Sequence, residues 1–233
     1  MQTRNQIEDI IKNGLVEDIF RMESALFLLE KIGERTTDIN SANRGNFSEL
    51  FGTLQRALNT EAILAVARVY DEPSKRYPTR CIKGVFKHLI EFAHELPDIR
   101  EPYQLELLLK TRNVPVELIN TIKVNPVAFP LLLSNYFNHE LITSHSEAMD
   151  KLKMLRDKAM AHNESKLVNG PTWEALTELI EFAKYVVGAL GWAYLSMAYP
   201  INGDYILTND AKRPSFAMSR LLKNVYENLY PPK

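Results

Sequence analysis

Five polar residues close the stretch from Leu152 to Glu164: Arg156, Asp157, His162, Asn163 and Glu164. An imidazole titrates near neutral pH and moves protons in either direction. A guanidinium offers a planar fork of donors that fits phosphate or carboxylate, and it keeps its charge. A second, smaller group sits at the end of Leu64-Ala-Val-Ala-Arg-Val-Tyr-Asp-Glu-Pro-Ser-Lys75, where Arg68 and Asp71 follow an apolar run. These residue types suit proton transfer beside an anionic group. They need elements that hold them together.

Ala148, Leu152, Leu155 and Ala159 recur at spacings of four and three, the stripe of a packed helix expected from about Thr143 to about Ala161. His162 continues that stripe at its end, and Arg156 lies one position off it. Asn169-Gly170-Pro171 is a stop signal. The remaining periods are also helical. A first segment, Asn5 to Asn40, reads as one long helix or as two broken near Gly14. Phe47 to Tyr70 carries a stripe of threes and fours that Asp71-Glu-Pro73 ends. Arg80 to Leu96 is a third helix. Prolines 97, 102, 115, 126 and 130 divide the next stretch into helical fragments. Thr172 caps a further long helix, Asn202-Gly-Asp is a hairpin turn, and Phe216 to Leu229 is amphipathic. The expectation is an all-α bundle. It forms a single domain over residues 1–233, with a helical-fragment insertion at about 97–140 and a C-terminal extension at about 200–233.

Arg156-x5-His162 resembles the Arg-x4-6-His motif of the HEPN superfamily, helical domains found in RNA-cleaving toxins and abortive-infection proteins. Leu-Arg-Asp-Lys-Ala-Met-Ala-His looks like its abortive-infection, AbiU2-like branch, and the block around Arg68 and Asp71 matches as well. The resemblance runs from about Phe47 to about Met197. It implies a HEPN-like bundle and a metal-independent endoribonuclease of a prokaryotic defence or toxin–antitoxin system, with no cofactor. Under it, His162 is the general acid/base, Arg156 the phosphate clamp, Asp157 and Asn163 orient them, and Arg68 and Asp71 support the site. On an ideal helix, six residues at roughly 100° each leave Arg156 and His162 about 120° apart. A homodimer whose two motifs face one cleft, as in the family, resolves that mismatch. RNA is then the substrate, and a cognate antitoxin is a partner. One departure is local: many active members have a polar amide after the arginine, where this chain has Asp157.

The same residues admit other readings. A histidine ending a stripe also serves as a C-terminal cap favoured by the helix dipole. An arginine beside a stripe also pairs with a nearby carboxylate such as Asp157 or Glu164, and Arg68 with Asp71 can tie one helix to its neighbours. A catalytically silent HEPN module that binds RNA or a protein partner stands as the alternative, and a helical scaffold without nucleic acid as a third.

Composition narrows the class. With 45% hydrophobic and 24% charged residues over 233 positions, the chain can bury its own core. A net charge of −1 gives no global pull toward nucleic acid, so RNA contact requires a local patch. Lys75, Arg76, Arg80, Lys83 and Lys87 are the best such cluster, with Tyr77 for stacking. The single cysteine, Cys81, rules out an intrachain disulfide and a multi-cysteine zinc site, and no metal site is expected. His139-Glu140 and His145 miss the zinc-protease spacing by two residues. His88 and His94 share that defect, and Cys81 has no adjacent histidine to activate it. A polar N-terminus and the lack of an apolar run near 18 residues lead to an expectation of a cytoplasmic protein without a membrane segment.

Overall fold

The helix Trp173–Leu190 exposes Glu174, Thr177, Glu178 and Glu181 in its first half, whereas each residue from Phe182 to Leu190 is buried. That second half has no solvent face, so it must be surrounded by other elements. The computed structural model describes residues 2–41, 47–74, 79–161, 169–201 and 203–229. In chain order these form α1 (Gln2–Ile10), a π-helical turn (Ile11–Val16), α2 (Glu17–Glu34), α3 (Thr36–Ser41), α4 (Ser48–Val69) and α5 (Ile82–Glu91). There follow α6 (Pro102–Thr111), α7 (Val116–Val124), α8 (Phe129–Ser144), α9 (Ser146–Met154), a second π-helical turn (Leu155–Ala161) and the central helix, α10. A third π-helical turn (Gly191–Leu195), strands β1 (Pro200–Ile201) and β2 (Asp204–Tyr205), α11 (Thr208–Ala211) and α12 (Arg213–Leu229) complete the described chain. The fold is all-α, and the one sheet among the described residues is this two-stranded antiparallel pair, Ile201 opposite Asp204. Gly203, at φ +89°, supplies the left-handed backbone of its turn.

Two compact units divide the chain, residues 1–19 with 66–206 and residues 20–65 with 207–233. In the second, Ile32, Ile39 and Leu222 are buried together, with Phe47, Phe51, Leu54, Leu58 and Met218 packed against them. Thr208 Oγ1 donates to the Glu23 carboxylate at 2.9 Å, and Lys212 Nζ lies 5.1 Å from the centre of the Phe27 ring.

The first unit holds the larger core. Phe137 of α8 stacks on Phe86 of α5 at 5.6 Å and meets Phe182 and Tyr185 of α10 edge-on at 5.9 and 5.6 Å. Burying one such ring stabilises by about 1.5–3 kcal/mol, and edge-on partners add to that. The proline-divided stretch supplies three real helices. Their Leu105, Leu109, Ile119, Ile122, Phe129 and Leu133 are all buried. Prolines 102 and 130 stand in first turns, where a missing N–H costs nothing.

Local signals end the elements as their chemistry requires. Thr172 Oγ1 accepts from Ala175 N at 3.2 Å, which caps α10. Cys81 plays the same part for α5, its Sγ accepting from Gly84 N at 3.3 Å. The Cys81 side chain is wholly buried, and that burial pushes its thiol pKa up, away from the reactive thiolate. The break expected near Gly14 is a π-helical turn rather than an interruption. Its cause is close packing: a Cβ on Gly14 would sit 2.2 Å from Arg80 Cβ and 3.0 Å from the Arg80 carbonyl oxygen.

That contact generates a prediction. Gly14→Ala adds helix propensity of about 1 kcal/mol, but it forces main-chain and Cβ atoms of residue 80 to move, which costs roughly 1–3 kcal/mol. The loss outweighs the gain, so urea unfolding should show a destabilised variant. A Gly14→Ala protein as stable as the parent would contradict the close approach.

Candidate functional site

Tyr70 and Asp71 mark the end of α4. Asp71 N still reaches Arg68 O at 3.4 Å, and Pro73 then prevents continuation. The buried Tyr70 hydroxyl donates to the Leu179 carbonyl of α10, which pins this helix end to the centre of the unit. Across from it, α8 stops at His145 and α9 starts immediately after. The helix expected over Thr143–Ala161 is thus broken near its start and π-helical from Leu155. Such turns re-aim side chains and are frequent at functional sites.

Arg156 projects from this π-helical turn. Its Nη1 donates to Asp71 Oδ1 at 3.1 Å and its Nε to Asp157 Oδ1 at 2.7 Å. Asp71 also accepts from Glu72 N at 2.9 Å. The guanidinium is about a quarter exposed, and Asp157 and then Asp71 raise its pKa. Beside it lies a cleft of about 300 Å³, bounded by α4, α5 and α9. Lys83, paired with Glu72, lines it, as do Asp150 and Lys153 of α9.

The structure brings Arg156, Asp157 and Asp71 together. Arg68 turns elsewhere and donates to Asp18 Oδ1 at 2.8 Å. His162 and Asn163 lie outside the described residues, as do Lys75 and Arg76. Arg80 and Lys83 face different grooves: Arg80 binds Asp9 Oδ2 at 2.8 Å beside α1, while Lys83 points to the cleft. Lys87 is exposed on α5. Lys153 was open to detection, because it precedes Arg156 by three residues and so neighbours it on the helix surface, and Asp150 in turn precedes Lys153 by three. Among the described residues, no group of three or more His, Cys, Asp or Glu is placed to hold a metal ion. No described helix is long and apolar enough to cross a membrane.

His145 is a second residue whose role spacing did not reveal. It is buried at the α8–α9 joint, its ring 5.2 Å from that of Phe182. Burial holds its pKa below the ordinary value, against Glu140 and Glu178, which favour the charged form, and with Arg112, which opposes it. Nearby, Arg112 donates to Glu140 Oε1 at 3.2 Å and lies 4.7 Å from the centre of the Tyr185 ring.

Comparison with protein families places this region. Residues 137–212 match the HEPN_AbiU2 family model, described as AbiU2. The match supports the AbiU2-like resemblance over that stretch, which includes Arg156, Asp157 and His162. The match is narrower than the stretch from Phe47 to Met197 over which the chain resembles the family, and it begins after Arg68 and Asp71. Comparison with curated proteins and with solved structures gives no match.

Burial of His145 has a pH signature. A histidine whose folded pKa lies below its unfolded value of about 6.5 binds fewer protons when folded. Its contribution to stability is present above that pH and is lost as pH falls toward the folded pKa. His88, also lowered by burial, acts with the same sign. The melting temperature should drop between about pH 6.5 and pH 5, and His145→Phe should flatten that drop, leaving the part due to His88. An unchanged pH slope in His145→Phe would place the effect elsewhere.

Proposed function

We propose that this protein is a metal-independent endoribonuclease that acts as a homodimer in prokaryotic defence, as a toxin or abortive-infection effector. The observation that supports it most is Arg156, held at the edge of a cleft that also carries Lys83 and Lys153, within the AbiU2-matching stretch.

The chemistry assigns each group one task. His162 takes the proton from a ribose 2′-hydroxyl, and the 2′-oxygen attacks the adjacent phosphorus. Negative charge grows on the phosphoryl oxygens as that bond forms, and Arg156 meets it with a charge-assisted fork. The bond from phosphorus to the 5′-oxygen breaks, and a proton returns to that oxygen. The products are a 2′,3′-cyclic phosphate and a 5′-hydroxyl end. Two copies facing one another would bring the motifs to a single cleft.

A second reading has its own observation. Two of the five Arg156 N–H donors, on Nε and Nη1, are already taken by Asp157 and Asp71. In a catalytically silent module, those pairs would be permanent, and the helix end would serve only for structure or binding. In the enzyme, substrate phosphate takes the remaining donors or replaces one carboxylate, and the two negative charges oppose it either way. Asp157 is nearly half exposed, so water compensates much of that exchange.

Single-stranded RNA should be cut in the presence of EDTA, leaving 5′-hydroxyl ends on the 3′ fragments. His162→Ala should abolish cutting with little loss of RNA binding. Arg156→Ala should reduce both, at a stability cost of roughly 1 kcal/mol, since neither carboxylate partner is deeply buried. Asp157→Asn should bind RNA more tightly than the parent. Cleavage that stops on chelation, or a parent that never cuts, counts against the enzyme. In the silent module, Arg156→Ala changes melting temperature and there is no cleavage to lose.

Light scattering at micromolar concentration should give about twice the chain mass of 26.7 kDa. A strict monomer would remove the shared cleft on which the mechanism depends.

A further inference from the structure

Six charged side chains line the cleft beside Arg156, and four of them neutralise one another. Lys83 pairs with Glu72, and Arg156 pairs with Asp71. The remaining two are Asp150 and Lys153, both exposed on α9, and among the described residues neither has a hydrogen bond or ion pair. Asp150, Lys153 and Arg156 follow one another at steps of three, so Lys153 neighbours both of the others, and all three line the cleft. A strand whose phosphate displaces Asp71 from Arg156 therefore passes next to an uncommitted ammonium. It also passes an uncommitted carboxylate one further step away.

We propose that Lys153 is a positioning residue that holds the backbone phosphate next to the scissile one, and that Asp150 opposes it and keeps strand affinity low. This rests on the RNA-cleaving reading above. Lys153 suits the task because the charge of an ammonium on a flexible stem reaches a phosphate without demanding one geometry. It costs no internal ion pair to recruit, unlike Lys83, which must first leave Glu72. Asp150 acts through repulsion at short range, where the cleft wall limits screening by water. The two residues thus set opposite signs at one place.

The test uses the full-length protein and a short single-stranded RNA that is 2′-O-methylated throughout, which binds but cannot be cut. Binding is followed by fluorescence anisotropy across a salt series. Lys153→Ala should weaken binding roughly threefold to tenfold at low salt. It should also lower the slope of log affinity against log salt by about 0.7, one phosphate contact on a single strand. Lys153→Arg should restore both. Asp150→Asn should tighten binding. Lys151→Ala, which removes a lysine paired with Glu147 at 2.6 Å and set off the cleft, should leave the slope unchanged. Melting temperatures should stay at the parent value for the Lys153 and Asp150 variants, because neither side chain has a partner to lose.

If the parent binds and Lys153→Ala binds equally with the same slope, the positioning role is wrong while the RNA reading stands. The positioning role is equally wrong if Asp150→Asn shifts binding in the direction of Lys153→Ala. If the parent does not bind RNA at all, the RNA reading falls and this inference falls with it.

Discussion

The bond from the Tyr70 hydroxyl to the Leu179 carbonyl is where the candidate site gains its geometry. Leu179 belongs to the central helix, on the face where Leu176, Leu179 and Ile180 are buried. Tyr70 is the buried residue immediately after α4, so the bond fixes where the next residue, Asp71, is presented. The hydroxyl is fully enclosed, and burial raises its pKa well above the ordinary value, so it remains a donor. Without that anchor, a helix end followed by Glu72 and Pro73 would have few reasons to face α9.

Arg156 shows the consequence. Its partner Asp71 is 85 residues away in the chain, and its partner Asp157 is adjacent. The local pair would form in almost any helix. The distant one requires α4, α9 and α10 all to be in place. Arg156 is thereby held in one orientation at the cleft edge, with carboxylates standing where a phosphate would sit. Two anionic oxygens in that position mimic the ligand that the fork prefers. The same arrangement that organises the clamp also competes with its substrate.

The three described π-helical turns share a physical theme. Each lies where a helix must reconcile its own period with packing against a neighbour: Ile11–Val16 beside Arg80, Leu155–Ala161 at the motif, and Gly191–Leu195 after the buried helix. At Gly14 the close contact with Arg80 leaves no room for a side chain. At Gly191 a Cβ would lie 2.7 Å from the Met197 carbonyl oxygen. Such turns carry no periodic signature in one sequence, because the apolar stripe continues through them.

The stripes, stops and caps of individual helices were legible in the residues themselves. Spacings of three and four marked α4 to within a residue at each end, Pro73 marked a stop, and Thr172 marked the cap that starts α10, since each depends only on near neighbours. Arg156 was legible as a candidate from its residue type and place beside the stripe, whereas His162 lies outside the described residues. What tertiary structure alone decided is which distant groups meet. Arg68 found Asp18 instead of Asp71, Asp71 found Arg156, and His145 was buried against Phe182 although its zinc-like spacing meant nothing. Arg80 and Lys83, three residues apart, were sent to different grooves by the carboxylates of α1 and of the segment after α4. Local periodicity encodes faces and ends, whereas pairing across the fold depends on how those faces are packed, and packing is settled by burial of the whole set at once.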